Sequence, residues 1–289
     1  MNLQTASRKK AKIKMGLQGP SGSGKTMGAL LTAYGICGDW TKIAVLDAEN
    51  QSADLYAHLG SYNVLSLSTP FTPEKYIQAI DVCIKSEMEV IIIDSESQLW
   101  GYLLDYHSSL QGNSFTNWSK VNLRYYEYVQ KMLQCPAHII SNIRTKHDYV
   151  LNEKNGKMVP EKVGLKAIQR PEMEYEYTLV FDLDMKNHYS ASKDRTGLFF
   201  GKPEQKLSVE TGKLIREWCN TSTTLSVDEL SNRIIGCKNV EELLKLYHQH
   251  PEYKDVLKPD FEKRKRQILI NQEVVTELIN QKQSSNGTH

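Results

Sequence analysis

From Ile13 to about Ile143, short apolar runs alternate with stretches whose apolar residues recur every three or four positions. KIKMGLQ, KIAVLDA, NVLSLS, EVIIIDS and AHIISNI have the length and composition of mostly buried strands. Between them, KTMGALLTAYGIC, PEKYIQAIDVCIKS and NLRYYEYVQKMLQ carry helical spacing. That alternation predicts an α/β fold with a mainly parallel sheet. After Ile143 the pattern changes. DYVLNEKNGKMVPE holds Asn155-Gly156 between flanks of strand character, a hairpin signal. YEYTLVFDLDMKNHYSASKDRTGLFF alternates as antiparallel strands extending the sheet would, and SVETGKLIREWC ends this part with a helix. The pattern divides the chain into a basic lead-in (1–12), a core (13–219), a helical region (220–280) that begins with the polar linker NTSTTLS, and a disordered tail (281–289).

Composition narrows the class without naming it. The chain has 289 residues, 40% hydrophobic and 24% charged, which is ordinary for a globular protein with one sizeable core. A net charge of +2 does not argue for a polyanionic partner, so any nucleic-acid surface must be a local patch. The five cysteines, Cys37, Cys83, Cys135, Cys219 and Cys237, are odd in number and widely spaced, which fits free thiols in the cytoplasm. No apolar run is long enough for a membrane span.

The stretch Gly19, Pro20, Ser21, Gly22, Ser23, Gly24, Lys25, Thr26 changes the picture, because it fits G-x-x-x-x-G-K-[ST] between a strand and a helix. Glycines let backbone N–H groups converge on phosphate oxygens, and the helix that follows adds its positive end. Lys25 is placed to reach β- and γ-phosphates and Thr26 to ligate Mg²⁺, so a nucleoside triphosphate such as ATP is the expected ligand. The competing reading is a flexible Gly/Ser turn. Asp94 ends the strand EVIIIDS and is the expected metal-holding acid; an ordinary strand-end acid is the alternative. Glu49 lies just past the strand after the phosphate-loop helix, within reach of the γ-phosphate, where it could orient water; the alternative is a solvated turn acid. Glu96 could help hold water around the metal or be a surface acid.

VLDAENQSADLYAHLG resembles the RecA-type recombinase stretch in which a Glu activates water and a Tyr seven residues later stacks on adenine. The resemblance implies those roles for Glu49 and Tyr56. VIIIDS is similar to that family's second nucleotide motif, and HIISNIRTK to the strand whose amide senses γ-phosphate before a DNA-contacting loop. The amide position is Asn142, where the bacterial recombinases carry Gln. VGLKAIQRPEMEYEYTLVFDLDM, ASKDRTGL and ETGKLIREW resemble the RecA-core AAA family ATPases of phages and mobile elements, often called Sak-type single-strand annealing recombinases. The likeness covers roughly 10–219 and implies a RecA-like P-loop core, ATP with Mg²⁺, single-stranded DNA as partner, and self-assembly into a ring or filament.

In such oligomers a basic pair enters the neighbour's nucleotide site, which implies that role for Lys193 and Arg195; a solvated strand edge is the alternative. Residues 145–170 hold six basic and three acidic residues. Arg144, Lys146, Lys154, Lys157, Lys162, Lys166 and Arg170 are the candidate DNA contacts, with Tyr149 available to stack a base; the alternative is a solvated hairpin. Trp118, Asn117, Lys120 and Arg124 could form a further DNA-facing loop, but aromatic residues at helical spacing favour core. The leading expectation is an ATP-dependent single-stranded-DNA-binding recombinase or annealing ATPase. A hexameric motor is the first alternative. The second is a nucleotide-gated module whose C-terminal helices bind a single-strand-binding or replication protein.

Overall fold

The computed structural model describes residues 11–154, 157–220, 227–250 and 253–285, with the side chains of 149–163, 249 and 272 onward outside that description. The chain divides into two compact units, one over Arg8–Thr221 and one built on Ser222–His289.

The first unit is a nine-stranded sheet. Strands β1 (Lys14–Gly19), β2 (Ile43–Asp47), β3 (Asn63–Ser66), β4 (Val90–Asp94) and β5 (His138–Lys154) pair in the order β3-β2-β4-β5-β1, all parallel. Beyond β1 lies parallel β7 (Leu179–Leu183), followed by antiparallel β8 (His188–Asp194) and β9 (Gln205–Lys206). The α/β class, with a mainly parallel sheet extended by antiparallel strands, is as the sequence pattern predicts, but β7, expected among the antiparallel strands, runs parallel to β1.

The central strands read as unbroken apolar runs because helices cover both faces. On β4, Val90 and Ile92 pack with Ala29, Leu30 and Ala33 of α1 (Lys25–Cys37). Ile91 and Ile93 point the other way, into a core shared with α2 (Pro73–Lys85), α3 (Glu96–Ser109) and α4 (Ser114–Gln134). Trp118 belongs to that second side: it stacks on His107 and Trp100 at centroid distances of 4.1 and 6.2 Å, and Asn117 is buried. Arg124 makes a bidentate pair with Glu74, both contacts at 2.7 Å. These residues do the work of packing, the favoured reading for them. Helix α5 (Val209–Asn220) returns against α1 through backbone contact. A Cβ on Gly212 would sit 2.1 Å from the Thr32 carbonyl oxygen, and one on Gly35 would sit 2.1 Å from that of Val209.

One boundary differs from the pattern. The apolar run ends near Ile143, yet β5 is 17 residues long and continues to Lys154. Past Arg144 it leaves the parallel sheet and pairs antiparallel with β6 (Lys157–Ala167), from Thr145↔Ala167 to Lys154↔Lys157, with a register shift at Asp148/Tyr149. A backbone ladder needs no apolar side chains, so hydrophobicity marked the edge of the core rather than the end of the strand. The hairpin is present; its expected tip, Asn155-Gly156, lies outside the described residues.

The second unit comprises α6 (Val227–Gly236), α7 (Val240–Gln249) and α8 (Lys254–Ser285). Leu230 and Ile234, Leu243 and Leu246, and Leu257 and Phe261 form its core at helical spacing. Because α8 reaches Ser285, residues 281–285, expected in a disordered tail, are helical; most of the basic lead-in and residues 286–289 lie outside the described residues. No described helix is long and apolar enough to cross a membrane, and no disulfide joins any of the five cysteines.

Candidate functional site

The carboxyl ends of β1, β2, β4 and β5 converge on a cavity of about 410 Å³ lined by the phosphate loop, Glu49, Tyr56, Asp94 and Arg144. These carboxyl ends are where ligands of open parallel sheets bind.

The loop turns through Gly22 and Gly24, at φ +83° and +80°, a region side-chain-bearing residues rarely occupy. Lys25 opens α1 and is 9% exposed. Its ammonium donates to the Gly19 and Pro20 carbonyl oxygens, both at 2.8 Å, so the loop's own carbonyls satisfy the charge that phosphate oxygens would otherwise meet. Burial lowers its pKa to about 8, with Asp94 opposing the shift and Arg144 adding to it. The Thr26 hydroxyl donates to Asp94 Oδ2 at 2.6 Å across 68 residues of chain. Asp94 is 4% exposed; burial raises its pKa, and the Thr26 hydrogen bond works the other way.

Glu49 is held from three sides. Ser95 Oγ donates to its Oε1 at 2.6 Å, Gln98 Nε2 lies 3.5 Å from the same oxygen, and the Arg144 guanidinium pairs with Oε2. Asp47 fixes the turn beneath by accepting from the backbone N–H of Glu49 at 2.6 Å and of Ala53 at 2.9 Å. Asn142 pairs in register with Asp94 and with Leu17 and is fully buried. Its amide meets no partner within hydrogen-bond geometry, although it lies close enough to Asp94 to favour the ionised carboxylate.

The model of the AAA domain family matches residues 11–238, well over half of the chain. The chain belongs to the AAA domain family. It is a P-loop ATPase domain whose match runs past the core into α6. No curated protein matches it. Among solved structures, a KaiC-like protein, PH0186, from Pyrococcus horikoshii OT3 is 15% identical, at a TM-score of 0.38 over 66% of this chain and 82% of that one.

Within this ATPase domain Arg144 and Glu96 stand elsewhere than expected. Arg144, expected on DNA, lines the nucleotide cavity and grips Glu49. Glu96 is neither beside the metal position nor on the surface: it is buried, and its Oε2 accepts from the Tyr177 hydroxyl. Burial raises its pKa. Lys193 and Arg195 do not line this chain's own nucleotide cavity. Lys193 Nζ donates to the carbonyls of Glu174 (2.7 Å) and Tyr175 (2.6 Å), and Arg195 Nη2 to that of Tyr175 (3.2 Å). Lys146 is exposed on the hairpin, Lys166 lines a second cavity, and Arg170 lies over the Tyr125 and Tyr126 rings. The side chains of Tyr149, Lys154, Lys157 and Lys162 lie outside the described residues.

Asp47, Ser95, Gln98 and Asn187 escaped the pattern. Ser95, immediately after Asp94, could have been suspected from its place at the strand end. Asn187 could not: it sits in the β7–β8 turn at φ +65°, donates to the Gly22 carbonyl at 3.2 Å and closes over the loop from 165 residues away. Nothing local announces such a contact.

Proposed function

We propose that this chain is an ATP-dependent, single-stranded-DNA-binding ATPase of the recombinase or annealing type, with ATP held where two copies meet. The observation that carries the reading is β5 itself, a single strand that sets Asn142 beside Asp94 and Arg144 on the nucleotide cavity and then becomes one arm of the basic hairpin. A displacement of Arg144 is thereby transmitted along one backbone to the element offered to DNA.

The chemistry is attack of water on the γ-phosphorus. The new P–O bond forms as the bond to the β–γ bridging oxygen breaks, and the water's proton passes to Glu49 Oε1 or Oε2. Glu49 is restrained for this by Ser95, and its turn by Asp47. Lys25 exchanges the Gly19 and Pro20 carbonyls for phosphate oxygens. Thr26 and Asp94 are oxygen donors already in contact, a set suited to Mg²⁺, and would hold it; when bound, that ion neutralises charge on the β- and γ-oxygens. Lys193 and Arg195, outside their own chain's cavity, are the cations offered to the neighbour's. Single-stranded DNA follows the hairpin, where six basic residues face three acidic ones in sequence.

Hydrolysis measured with and without single-stranded DNA tests this on the wild type, Glu49→Gln and Arg195→Ala. DNA should stimulate the wild type, and both substitutions should remove the stimulated rate, Arg195→Ala by about 10³–10⁵-fold if it acts in trans. A rate indifferent to DNA overturns the reading. Full activity in Arg195→Ala removes the trans cation.

A further inference from the structure

A second cavity of about 620 Å³ is larger than the nucleotide pocket and separate from it. Gln18, Thr145, Lys166, Gln169, Arg170 and Asp182 line it, at the carboxyl ends of β1 and β7 and the root of the β5–β6 hairpin. Leu17 packs into the core under α1, so Gln18, the next residue of the strand, faces the opposite side of the sheet. Asp182 pairs in register with Gln18 and shares that face.

Four polar atoms here are buried without a hydrogen-bond partner: Gln18 Nε2, Thr145 Oγ1, Gln169 Oε1 and Arg170 Nη1. Gln18 is 8% and Gln169 9% exposed. Folded proteins leave few such groups, and four around one cavity mark a place built for something that completes them. Their chemistry limits what that is. Lys166 and Arg170 are offset by Asp182, Glu172 and Glu174, a mixed-sign lining that does not suit a polyphosphate. The two amides offer a free donor and a free acceptor, the complement of a ring edge that carries both. Ala167, Pro171 and Leu183 add apolar wall. The Arg170 guanidinium is fixed over the Tyr125 and Tyr126 rings at 5.4 and 4.9 Å, and guanidinium planes stack bases. Burial raises the pKa of Asp182, and a hydrogen bond with Ser192 opposes the shift.

We propose that this cavity receives one nucleobase, bound through the side-chain amides of Gln18 and Gln169 and flanked by Arg170. The base can come from single-stranded DNA, in which case the site rests on the function proposed above, or from a free nucleoside. Either source uses the same ring edge.

The test titrates the full chain with a single-stranded oligonucleotide, with an abasic oligomer of equal length, and with free nucleosides, by fluorescence anisotropy and calorimetry. The variants are Gln18→Met/Gln169→Met and Gln169→Met alone. Replacing unpaired buried amides with an apolar chain of similar length should leave the melting temperature at or above that of the wild type; if the double variant does not fold, the single one serves. A base read from DNA predicts that the natural oligomer binds about tenfold or more tighter than the abasic one, and that the variants lose this difference while keeping the abasic affinity. A free nucleoside predicts saturable binding that the variants abolish; binding at the ATP pocket would survive them. Equal affinity for both oligomers with no nucleoside binding means a merely hydrated cavity and overturns the proposal, leaving the DNA reading intact. Nucleoside binding without affinity for either oligomer upholds the cavity and overturns the DNA reading.

Discussion

Raising the pH from 7 to 9 should weaken nucleotide binding through one residue. Among the described residues Lys25 is the only lysine lining the nucleotide cavity, and burial pushes its pKa from 10.5 down to about 8. Of the charges facing it, Asp94 raises that value and Arg144 lowers it further. A bound polyphosphate returns the ammonium toward its ordinary range, because the negative oxygens replace neutral carbonyls. The bound form then has the higher pKa, so binding takes up a proton and affinity falls as pH rises through 8. The ammonium fraction of the free protein is about nine-tenths at pH 7 and about one-tenth at pH 9, so the dissociation constant should rise about tenfold, or ~1.4 kcal/mol. At pH 8 each binding event should take up about half a proton, read by calorimetry in buffers of different ionisation enthalpy. Arg does not titrate in this range, so Lys25→Arg should bind with a flat pH profile whatever its affinity. A flat profile in the wild type, with no buffer dependence at pH 8, would refute the idea that burial governs this lysine.

Three further outcomes are expected. Gly212→Ala drives a methyl into the Thr32 carbonyl, so it should cost about 1–3 kcal/mol in urea unfolding, whereas Ala at half-buried Gly101, where a Cβ meets nothing, should not destabilise. Glu96 has a folded-state pKa above its ordinary 4.5, so the wild type loses stability as pH rises through that window; Glu96→Gln should gain on the wild type at pH 8 but not near pH 4.5, by urea midpoints at each pH. Lys154→Ala/Lys157→Ala should weaken single-stranded DNA binding alike across sequences and flatten the log–log salt slope by about 0.7 per lost phosphate contact, and an unchanged slope would clear those residues of any phosphate contact.

The sequence by itself determined the local features. Apolar runs specified β1, β2 and β4 because both faces of those strands are buried. The glycine spacing specified the phosphate loop because its backbone angles exclude other residues. Asp94 was legible as the one carboxylate ending the apolar run Val90–Asp94. Tertiary structure decided what required elements distant in sequence to meet. It turned Arg144 onto Glu49, set Asn187 over Gly22 and buried Glu96 against Tyr177. It also placed Gln18 and Gln169 around one cavity. Strand character and turn propensity depend on neighbours a few positions away, and a sequence displays them. A side chain's partner depends on sheet order and register, which are settled only when the whole core packs at once.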